Sequence, residues 1–273
     1  MSIRLRLRQQ PALRLDLRGL TPAALATLTT AQIERLPLAQ GRRESPLAEH
    51  FEVSVSTTPT DDTGLLMFEG DLSRCDRIGW QMAAGQIVVE GAVGHYAGAG
   101  LLGGAMQVKG HAGLLAACEM AGGSLVIDGD VGDFAASAQP GSLDGMRGGR
   151  LVVRGNAGQR FGDRMRRGTA WVFGDAGDFY ASRLVAGTIA IGGRVGAHPA
   201  YGMRRGSLVF AGSAPQLPPH FVPAIVGAPV VWQLLARALA REGGPFADLP
   251  ARHMQRHLGD RSVAGVGELY VAD

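Results

Sequence analysis

The residues whose type and spacing best predict a chemical role are arginines, and several of them precede glycines at a repeated interval. Arg147, Arg166 and Arg204 each stand two residues before a glycine, and neighbours of the same type follow two of them. A planar guanidinium donates two parallel hydrogen bonds to a carboxylate, so a row of them suits a chain of anions. We therefore predict a binding edge for a polyanionic cofactor tail or an acidic partner, formed by Arg147, Arg166, Arg167, Arg204 and Arg205.

A second interpretation of this arginine edge is structural. The side chains would extend into solvent or pair with nearby carboxylates such as Asp163 and Asp175. Nucleic acid is disfavoured as the partner, since no aromatic residues alternate with the basic ones to stack on bases.

Residues for catalysis or metal binding form no recognisable pattern. The sequence lacks a P-loop and the HExxH and GxSxG motifs, and His95 and His111 fall at different positions of the repeat described below. Cys75 and Cys118 have no CxxC partner and are predicted to be reduced, buried residues. We predict no catalytic residues and no metal site.

The elements that must position the arginines come from a repeat of the form G-x5-G-x2-G. The third glycine is present in six of the eight copies, and the usual distance between copies is 19 residues, with one step of 26. The copies open at Gly64, Gly85, Gly104, Gly123, Gly149, Gly168, Gly187 and Gly206.

Between the first two glycines of each repeat, apolar residues alternate with polar or small ones, which is typical of a half-buried strand. A period of 19 leaves no room for a crossover helix. The pattern therefore predicts a mainly β chain wound as a right-handed parallel β-helix, or solenoid, of 19-residue coils. Predicted core residues are Ile87, Val89, Leu125, Ile127, Leu151, Val153, Ile189 and Ile191, with a second inward column of Met82, Leu101, Met120, Met146, Met165, Leu184 and Met203.

Two further columns follow from stacking the repeats. The last strand position reads Glu90, Lys109, Asp128 and Arg154, so Lys109, the only lysine, is predicted to belong to an ion ladder. The middle strand position is largely apolar and points outward. It predicts an interface with another subunit, unless the chain's own C-terminal helix covers it; the residues concerned are Val126, Val152 and Trp171, with Phe173 nearby.

The repeat divides the chain into three regions. Residues 1–60 are predicted to form an α/β N-terminal cap, residues 61–213 the β-helix, and residues 214–273 a Pro-rich linker and helical tail. In the tail an apolar stripe runs through Val231, Leu234, Leu235, Ala238 and Leu239, and Gly243 ends the helix. No apolar run is long enough to span a membrane and the first residues lack a signal peptide, so we expect a cytoplasmic protein.

These repeats resemble the GXGXG-type β-helix at the end of glutamate synthase large subunits. With both flanks, the chain is similar over nearly its whole length to the C subunit of formylmethanofuran dehydrogenase and of its bacterial relative, the formyltransferase/hydrolase complex. The similarity is carried by the coils and by LPLAQGRRESPLAEHFEVS (36–54), FEGDLSRCDRIGWQMAAGQIVVEGAVG (68–94), WQLLARALAREGGPF (232–246) and GDRSVAGVGELY (259–270).

The resemblance implies a scaffold subunit that packs beside an amidohydrolase-like subunit, a formyltransferase subunit and a further paralogous subunit, without an active site of its own. It also implies formyl transfer between tetrahydromethanopterin and a methanofuran-type carrier, with release of formate. The carrier's glutamate-containing tail suits the arginine edge, and the carrier would lie at a subunit interface. The alternatives are a molybdenum or tungsten formylmethanofuran dehydrogenase, a glutamate-synthase-like domain, or an autonomous solenoid enzyme, for which clustered carboxylates or aromatic platforms are lacking.

Overall fold

The structure, a computed structural model, describes residues 2–56, 64–224 and 229–272. Over these residues the chain is mainly β, with a 13-stranded sheet, a four-stranded sheet and few helices. This confirms the prediction of a mainly β chain, whereas the predicted boundary near residue 60 lies outside the described residues. The helices are α1 (Pro22–Leu25), α2 (Thr30–Glu34), α3 (Leu47–His50) and α4 (Pro229–Ala240), and short 3-10 turns cover Gly244–Phe246, Leu249–Ala251 and Arg261–Val263.

The strands follow the glycine repeat in the middle of the chain and depart from it at both ends. In chain order they are β1 (Ser2–Leu7), β2 (Leu15–Asp16), β3 (Pro37–Gln40), β4 (Arg43–Pro46), β5 (Phe51–Ser56), β6 (Leu65–Glu69), β7 (Cys75–Asp76), β8 (Gln86–Glu90), β9 (Ala105–Val108), β10 (Ser124–Ile127), β11 (Arg147–Val153), β12 (Arg167–Val172), β13 (Thr188–Ile191), β14 (Ser207–Phe210), β15 (Val222–Pro223), β16 (Met254–Gly259) and β17 (Gly267–Ala272).

Successive repeat strands pair in parallel and in register. Strand β10 pairs with β11 so that Leu125 faces Leu151, and β13 pairs with β14 so that Ile189 faces Leu208. All eight predicted core residues are buried, with at most 1% of their surface exposed. The alternation between glycines therefore identified the inward side of these strands correctly.

Two more columns join each repeat to the next. Isolated parallel bridges connect Leu72, Val93, Ala112, Val131, Ala157, Ala176 and Val195 in turn. The predicted second column, from Met82 to Met203, is buried throughout, and its carbonyls accept hydrogen bonds from the following repeat, as in Arg166 N–H to Met146 at 2.8 Å.

Glycine at the opening position is required by both the backbone conformation and the close approach of neighbouring repeats. Gly168 has a φ of +92°, and a Cβ there would lie 2.7 Å from the carbonyl oxygen of Gly149. A side chain at this corner would both strain the backbone and push the repeats apart.

The N-terminal strands belong to the large sheet. The segments IRLRLR and FEVSVS correspond to β1 and β5; β1 pairs in parallel with β6 and antiparallel with β5. Helix α2 begins at Thr30 and is capped by Thr29, in a capping box with Gln32.

The C-terminal region differs from the predicted helical tail, because it also contains strands. Strand β17 pairs in parallel with β14, where Leu269 faces Leu208, and β16 adds to it antiparallel. These strands extend the large sheet beyond the last glycine repeat.

Helix α4 packs on the outer face of this sheet with a side that matches the predicted stripe only in part, since Leu239 and Leu235 belong to both. Trp232, Ala236 and Leu239 are buried, whereas Val231 and Leu234 are 53% and 65% exposed. The reason is the docking partner: the Trp232 ring stacks on Tyr270 of β17 with centroids 5.2 Å apart. Among the residues described, no helix has the length and apolar character to cross a membrane.

Candidate functional site

The arginine edge is positioned by the buried methionine column beside it. Arg147, Arg166 and Arg204 each follow a fully buried methionine, and their backbone N–H groups donate to carbonyls of the preceding repeat at 2.6, 2.8 and 2.8 Å. These hydrogen bonds fix the backbone against the preceding repeat, and the arginine side chains are exposed to solvent.

All five predicted arginines meet in one surface groove of about 550 Å³, which we call the arginine groove; its lining is Arg147, Arg166, Arg167, Arg204, Arg205, Val185 and Ala186. The strand partner of Arg147 is Arg167 rather than Arg166, because the register shifts between Arg147 and Arg150.

Most of the charge in the arginine groove has no counterion among the described residues. Arg166 Nε lies 2.8 Å from Asp144 Oδ1. Within the described ranges, no side-chain hydrogen bond or ion pair is made by Arg147, Arg167, Arg204 or Arg205. Adjacent like charges repel, so an external anion that bridges them would relieve an unfavourable interaction.

The carboxylates that could have neutralised the groove are engaged elsewhere. Asp163 is buried and pairs with Arg183 while accepting a hydrogen bond from Ser182. Asp175 lies 3.6 Å from Arg194 and accepts that residue's backbone N–H. Neither aspartate therefore neutralises the five arginines of the groove, whereas the other part of the structural interpretation, extension into solvent, agrees with the exposure of these side chains.

The predicted subunit interface is corrected at two positions. Val152 and Trp171 are buried in one apolar cluster with Trp232, Ala236 and Leu239 of the chain's own C-terminal helix. They are therefore not available to another subunit. This agrees with the alternative stated above, in which the chain's own C-terminal helix covers this position.

The other two predicted interface residues are half-buried. The Phe173 ring contacts Phe246, with centroids 5.2 Å apart. Val126 lines a shallow hollow of about 280 Å³ together with Val88, on the part of the sheet face next to the α4-covered part. Contact of this face with a partner subunit stays a prediction.

Other polar residues stabilise the stacking of the repeats. Lys109 pairs with Glu90 at 2.7 Å, which confirms its place in an ion ladder. Asp130 and Asp133 accept backbone N–H groups of the next repeat at 2.7 and 2.8 Å. Over the described ranges, no group of three or more His, Cys, Asp or Glu residues is arranged to hold a metal ion.

Both cysteines are free and buried. Burial raises the pKa of the Cys75 and Cys118 thiols to about 12. They are therefore protonated at neutral pH and are poor nucleophiles.

Sequence reasoning missed a second feature, an apolar hollow of about 450 Å³ on the neighbouring corner of the repeats. Its walls include Leu114, Leu115, Phe134 and Pro140, together with polar residues such as Asp163, Arg164 and Arg183. A signal was present, since Leu115 and Phe134 are large apolar residues at equivalent positions of successive repeats, outside the columns predicted to form the core.

In class, this is a mainly β repeat protein with stacked parallel strands and an exposed, arginine-lined groove. No family model matches the chain. It is 42% identical over 90 residues to the C subunit of the formyltransferase/hydrolase complex Fhc from Methylorubrum extorquens, which is 33% of this chain and 32% of that protein. It is 33% identical over 93 residues to the C subunit of the tungsten-containing formylmethanofuran dehydrogenase 2 from Methanothermobacter wolfeii, covering 34% of each. These alignments span about a third of each curated relative's length.

A solved structure matches over the full chain. It is a chain of the crystal structure of the formyltransferase/hydrolase complex FhcABCD from Methylorubrum extorquens in complex with methylofuran, with 39% identity, a TM-score of 0.91 and coverage of 99% of both chains. This chain therefore belongs to the family formed by the C subunits of the formyltransferase/hydrolase complex and of formylmethanofuran dehydrogenases.

Proposed function

We propose that this chain is the structural subunit of a formyltransferase/hydrolase complex, that it has no active site of its own, and that its arginine groove holds the glutamate tail of a methylofuran-type carrier. The observation that carries the proposal is the presence of five arginines in one groove, four of them without a counterion among the described residues. Support comes from the full-length likeness to a chain of a complex that contains methylofuran.

The geometry of the groove suits an extended polycarboxylate. Parallel strands lie about 4.8 Å apart, so the arginines form charged rows on successive repeats. Val185 and Ala186 interrupt these rows between Arg167 and Arg204, and they would contact the methylenes of a glutamate side chain. An exposed ion pair contributes only about 0–1 kcal/mol, so retention of a carrier requires several pairs together.

The proposed partners are an amidohydrolase-like subunit, a formyltransferase subunit and a paralogous subunit, with the carrier at an interface among them. A specific observation favours the hydrolase complex over a formylmethanofuran dehydrogenase. Over segments of similar length, identity is 42% to the formyltransferase/hydrolase protein and 33% to the tungsten dehydrogenase protein.

The scaffold role rests on the same repeats that carry the groove. We infer that residues 61–213 wind as a right-handed parallel β-helix, between an N-terminal cap and a C-terminal region that closes the other end. The parallel registers of the strands and the column of parallel bridges support this winding. A wound stack has flat sides on which larger subunits can pack.

Co-purification tests the proposal. The native complex is isolated with Arg166→Ala/Arg204→Ala and, as a control with the same change in charge, with the exposed pair Arg42→Ala/Arg43→Ala. We expect the groove variant to lose carrier while keeping its subunits, and the control to keep both. Equal retention of carrier in both variants would contradict the groove's role.

The absence of an active site is tested separately. Purified chain alone is assayed for formyl transfer and for release of formate, with divalent metal ions added. The proposal predicts no turnover until the partner subunits are restored, and turnover by the isolated chain would refute the scaffold role.

A further inference from the structure

Helix α4 has a second apolar side, opposite the one that packs on the sheet through Trp232 and Leu239. Val230 and Leu234 are 71% and 65% exposed there, and Val231 beside them is 53% exposed. Contiguous large apolar side chains in contact with water mark a binding surface, whereas single ones do not. We call this surface the outer side of α4; its residues are Val230, Val231, Leu234, Arg237, Ala238 and Arg241.

The spacing along the helix explains why these residues share a side. Steps of four, three and four residues lead from Val230 through Leu234 and Arg237 to Arg241. Such steps return to the same side of a helix that has 3.6 residues per turn. The outer side is therefore apolar where α4 begins and basic where it ends, since Arg241 directly follows the helix.

The two arginines of the outer side have no counterion among the described residues. Arg237 and Arg241 are exposed, and neither makes a side-chain hydrogen bond or ion pair with any of them. The adjacent carboxylate of Glu242 is engaged, because it pairs with Arg150 of β11 at 2.5 Å. A guanidinium forms its strongest hydrogen bonds with a carboxylate, so a partner that brings carboxylates to this end of α4 would complete the surface.

A second copy of this chain does not bring them. Two outer sides that face each other in parallel place arginines against arginines, and like charges in an interface are unfavourable. In the antiparallel arrangement, Arg237 and Arg241 lie against Val230 and Val231 of the other copy, again without a carboxylate. Under the proposed function the chain has partner subunits of other kinds, and these are the source of a complementary surface.

An anionic membrane is a poorer fit than a protein. A helix that lies on a membrane carries its basic residues on the side opposite to its apolar ones. On α4 the exposed leucine and the two free arginines lie on one side, in succession along the helix.

We propose that the outer side of α4 docks in an acidic groove of a partner subunit. An apolar pocket of that groove receives Val231 and Leu234, and carboxylates further along it pair with Arg237 and Arg241. In this helix-in-groove mode, apolar side chains one turn apart anchor the helix and complementary charges fix its direction. The inference rests on the proposed function for the existence of a complex, and it adds which element of this chain docks and the chemistry of the surface that receives it.

Competition for the partner subunits tests this proposal. The complex is assembled from fluorescently labelled full-length chain and its native partner subunits, and unlabelled variants are added to displace the label. Leu234→Asp should need about tenfold more protein than the wild type for half-displacement, because a charge replaces a leucine that the groove buries. Arg237→Glu/Arg241→Glu should need about fivefold more, because two exposed ion pairs are lost.

Matched controls lie far from α4 in the sequence. Leu13→Asp places the same charge at a leucine that is 61% exposed, and Arg42→Glu/Arg43→Glu reverses two exposed arginines. Both should displace the label as the wild type does. Urea denaturation of each isolated variant should give a midpoint close to that of the wild type, since all the substituted side chains are exposed.

The outcomes separate this proposal from the function on which it rests. If both α4 variants compete like the wild type, the complex stands and the docking surface is refuted. A loss in Leu234→Asp without one in the arginine variant would overturn the acidic groove. A wild-type chain that assembles with no partner subunit would refute the proposed function and the docking together.

Two further measurements on the isolated chain cover the other occupants. Self-association in analytical ultracentrifugation that Leu234→Asp abolishes would assign the outer side of α4 to a second copy and overturn the proposal. Binding to phosphatidylglycerol vesicles that the same substitution abolishes would assign it to a membrane, with the same consequence.

Discussion

Arg166 Nε lies 2.8 Å from Oδ1 of Asp144, which belongs to the segment that lengthens one repeat step from 19 to 26 residues. The carboxylate of Asp144 therefore already pairs with one guanidinium of the arginine groove. Under the proposed function a ligand carboxylate has to compete with Asp144, so we expect this contact to lower the affinity of the groove.

Asp144→Asn should therefore strengthen binding of hexaglutamate. An exposed pair contributes about 0–1 kcal/mol, so we expect a two- to fivefold decrease in Kd, measured by calorimetry at low salt. Glu90→Gln removes the same charge from the distant Lys109 pair and should have no comparable effect. A weaker or unchanged Kd in Asp144→Asn would show that the loop does not compete.

Helix α4 offers a matched pair of leucines for testing its docking. Leu239 is fully buried and Leu234 is 65% exposed on the same helix. Leu239→Ala should lower the free energy of unfolding by about 2–5 kcal/mol, and Leu234→Ala should change it by less than about 0.5 kcal/mol, as measured by urea denaturation. Similar losses in both variants would mean that α4 packs with another face.

The corner glycines can be tested in the same way. Gly168 and Gly141 have similar φ values of +92° and +87°. They differ in their surroundings, because a Cβ at Gly168 would meet the carbonyl oxygen of Gly149, whereas a Cβ at Gly141 would enter open space. Both alanine variants bear the conformational strain of a left-handed residue, and only Gly168→Ala must also separate two repeats. Thermal denaturation should show the larger decrease in Tm for Gly168→Ala, and the reverse order would contradict the close stacking.

The environment of His95 predicts that the free energy of unfolding depends on pH. Burial, and then the charge of Arg14, lower its pKa below the ordinary 6.5, and its Nδ1 accepts the backbone N–H of Leu114 at 3.0 Å. The folded state therefore favours the neutral ring. This contribution is complete above the unfolded pKa of about 6.5 and is lost as the pH falls from there towards the lowered folded value.

His95→Gln should reduce the decrease in unfolding free energy between pH 7.5 and pH 5, as followed by denaturation at each pH. Some dependence will remain, because burial also lowers the pKa of His257. A slope identical to that of the wild-type chain would exclude His95 as a source.

The repeat made the centre of the fold predictable. Glycine spacing located the corners, and alternation assigned Ile87 and Leu151 to the core because a half-buried strand places every second residue inside. The arginines could also be placed together, since residues at equivalent repeat positions must be neighbours. These inferences needed only the local sequence and the 19-residue period of the repeat.

The ends could not be predicted in this way, because their contacts depend on distant partners. Helix α4 is apolar on several sides, and the position of Tyr270 and the rest of its apolar cluster explains why Trp232 is buried and Val231 is not. Strand β17 begins with Gly267, directly before the Glu268 that pairs with Ser207, but no second glycine follows six residues later, so the repeat pattern does not mark its pairing with β14. The Asp144 contact was also hidden, since the loop that carries it has no counterpart in the other repeats.

The most direct test of the central claim is the affinity of the full-length chain for acetyl-capped hexaglutamate, measured at about 50 and 300 mM salt for the wild type and Arg166→Ala/Arg204→Ala. Exposed charges are increasingly screened as salt rises, so we expect weaker wild-type binding at high salt. In the double variant we expect weaker binding, by up to about thirtyfold for two exposed pairs of about 0–1 kcal/mol each, with a smaller salt dependence. The same affinity and salt dependence in both proteins would contradict the claim that the arginine groove binds a polycarboxylate tail.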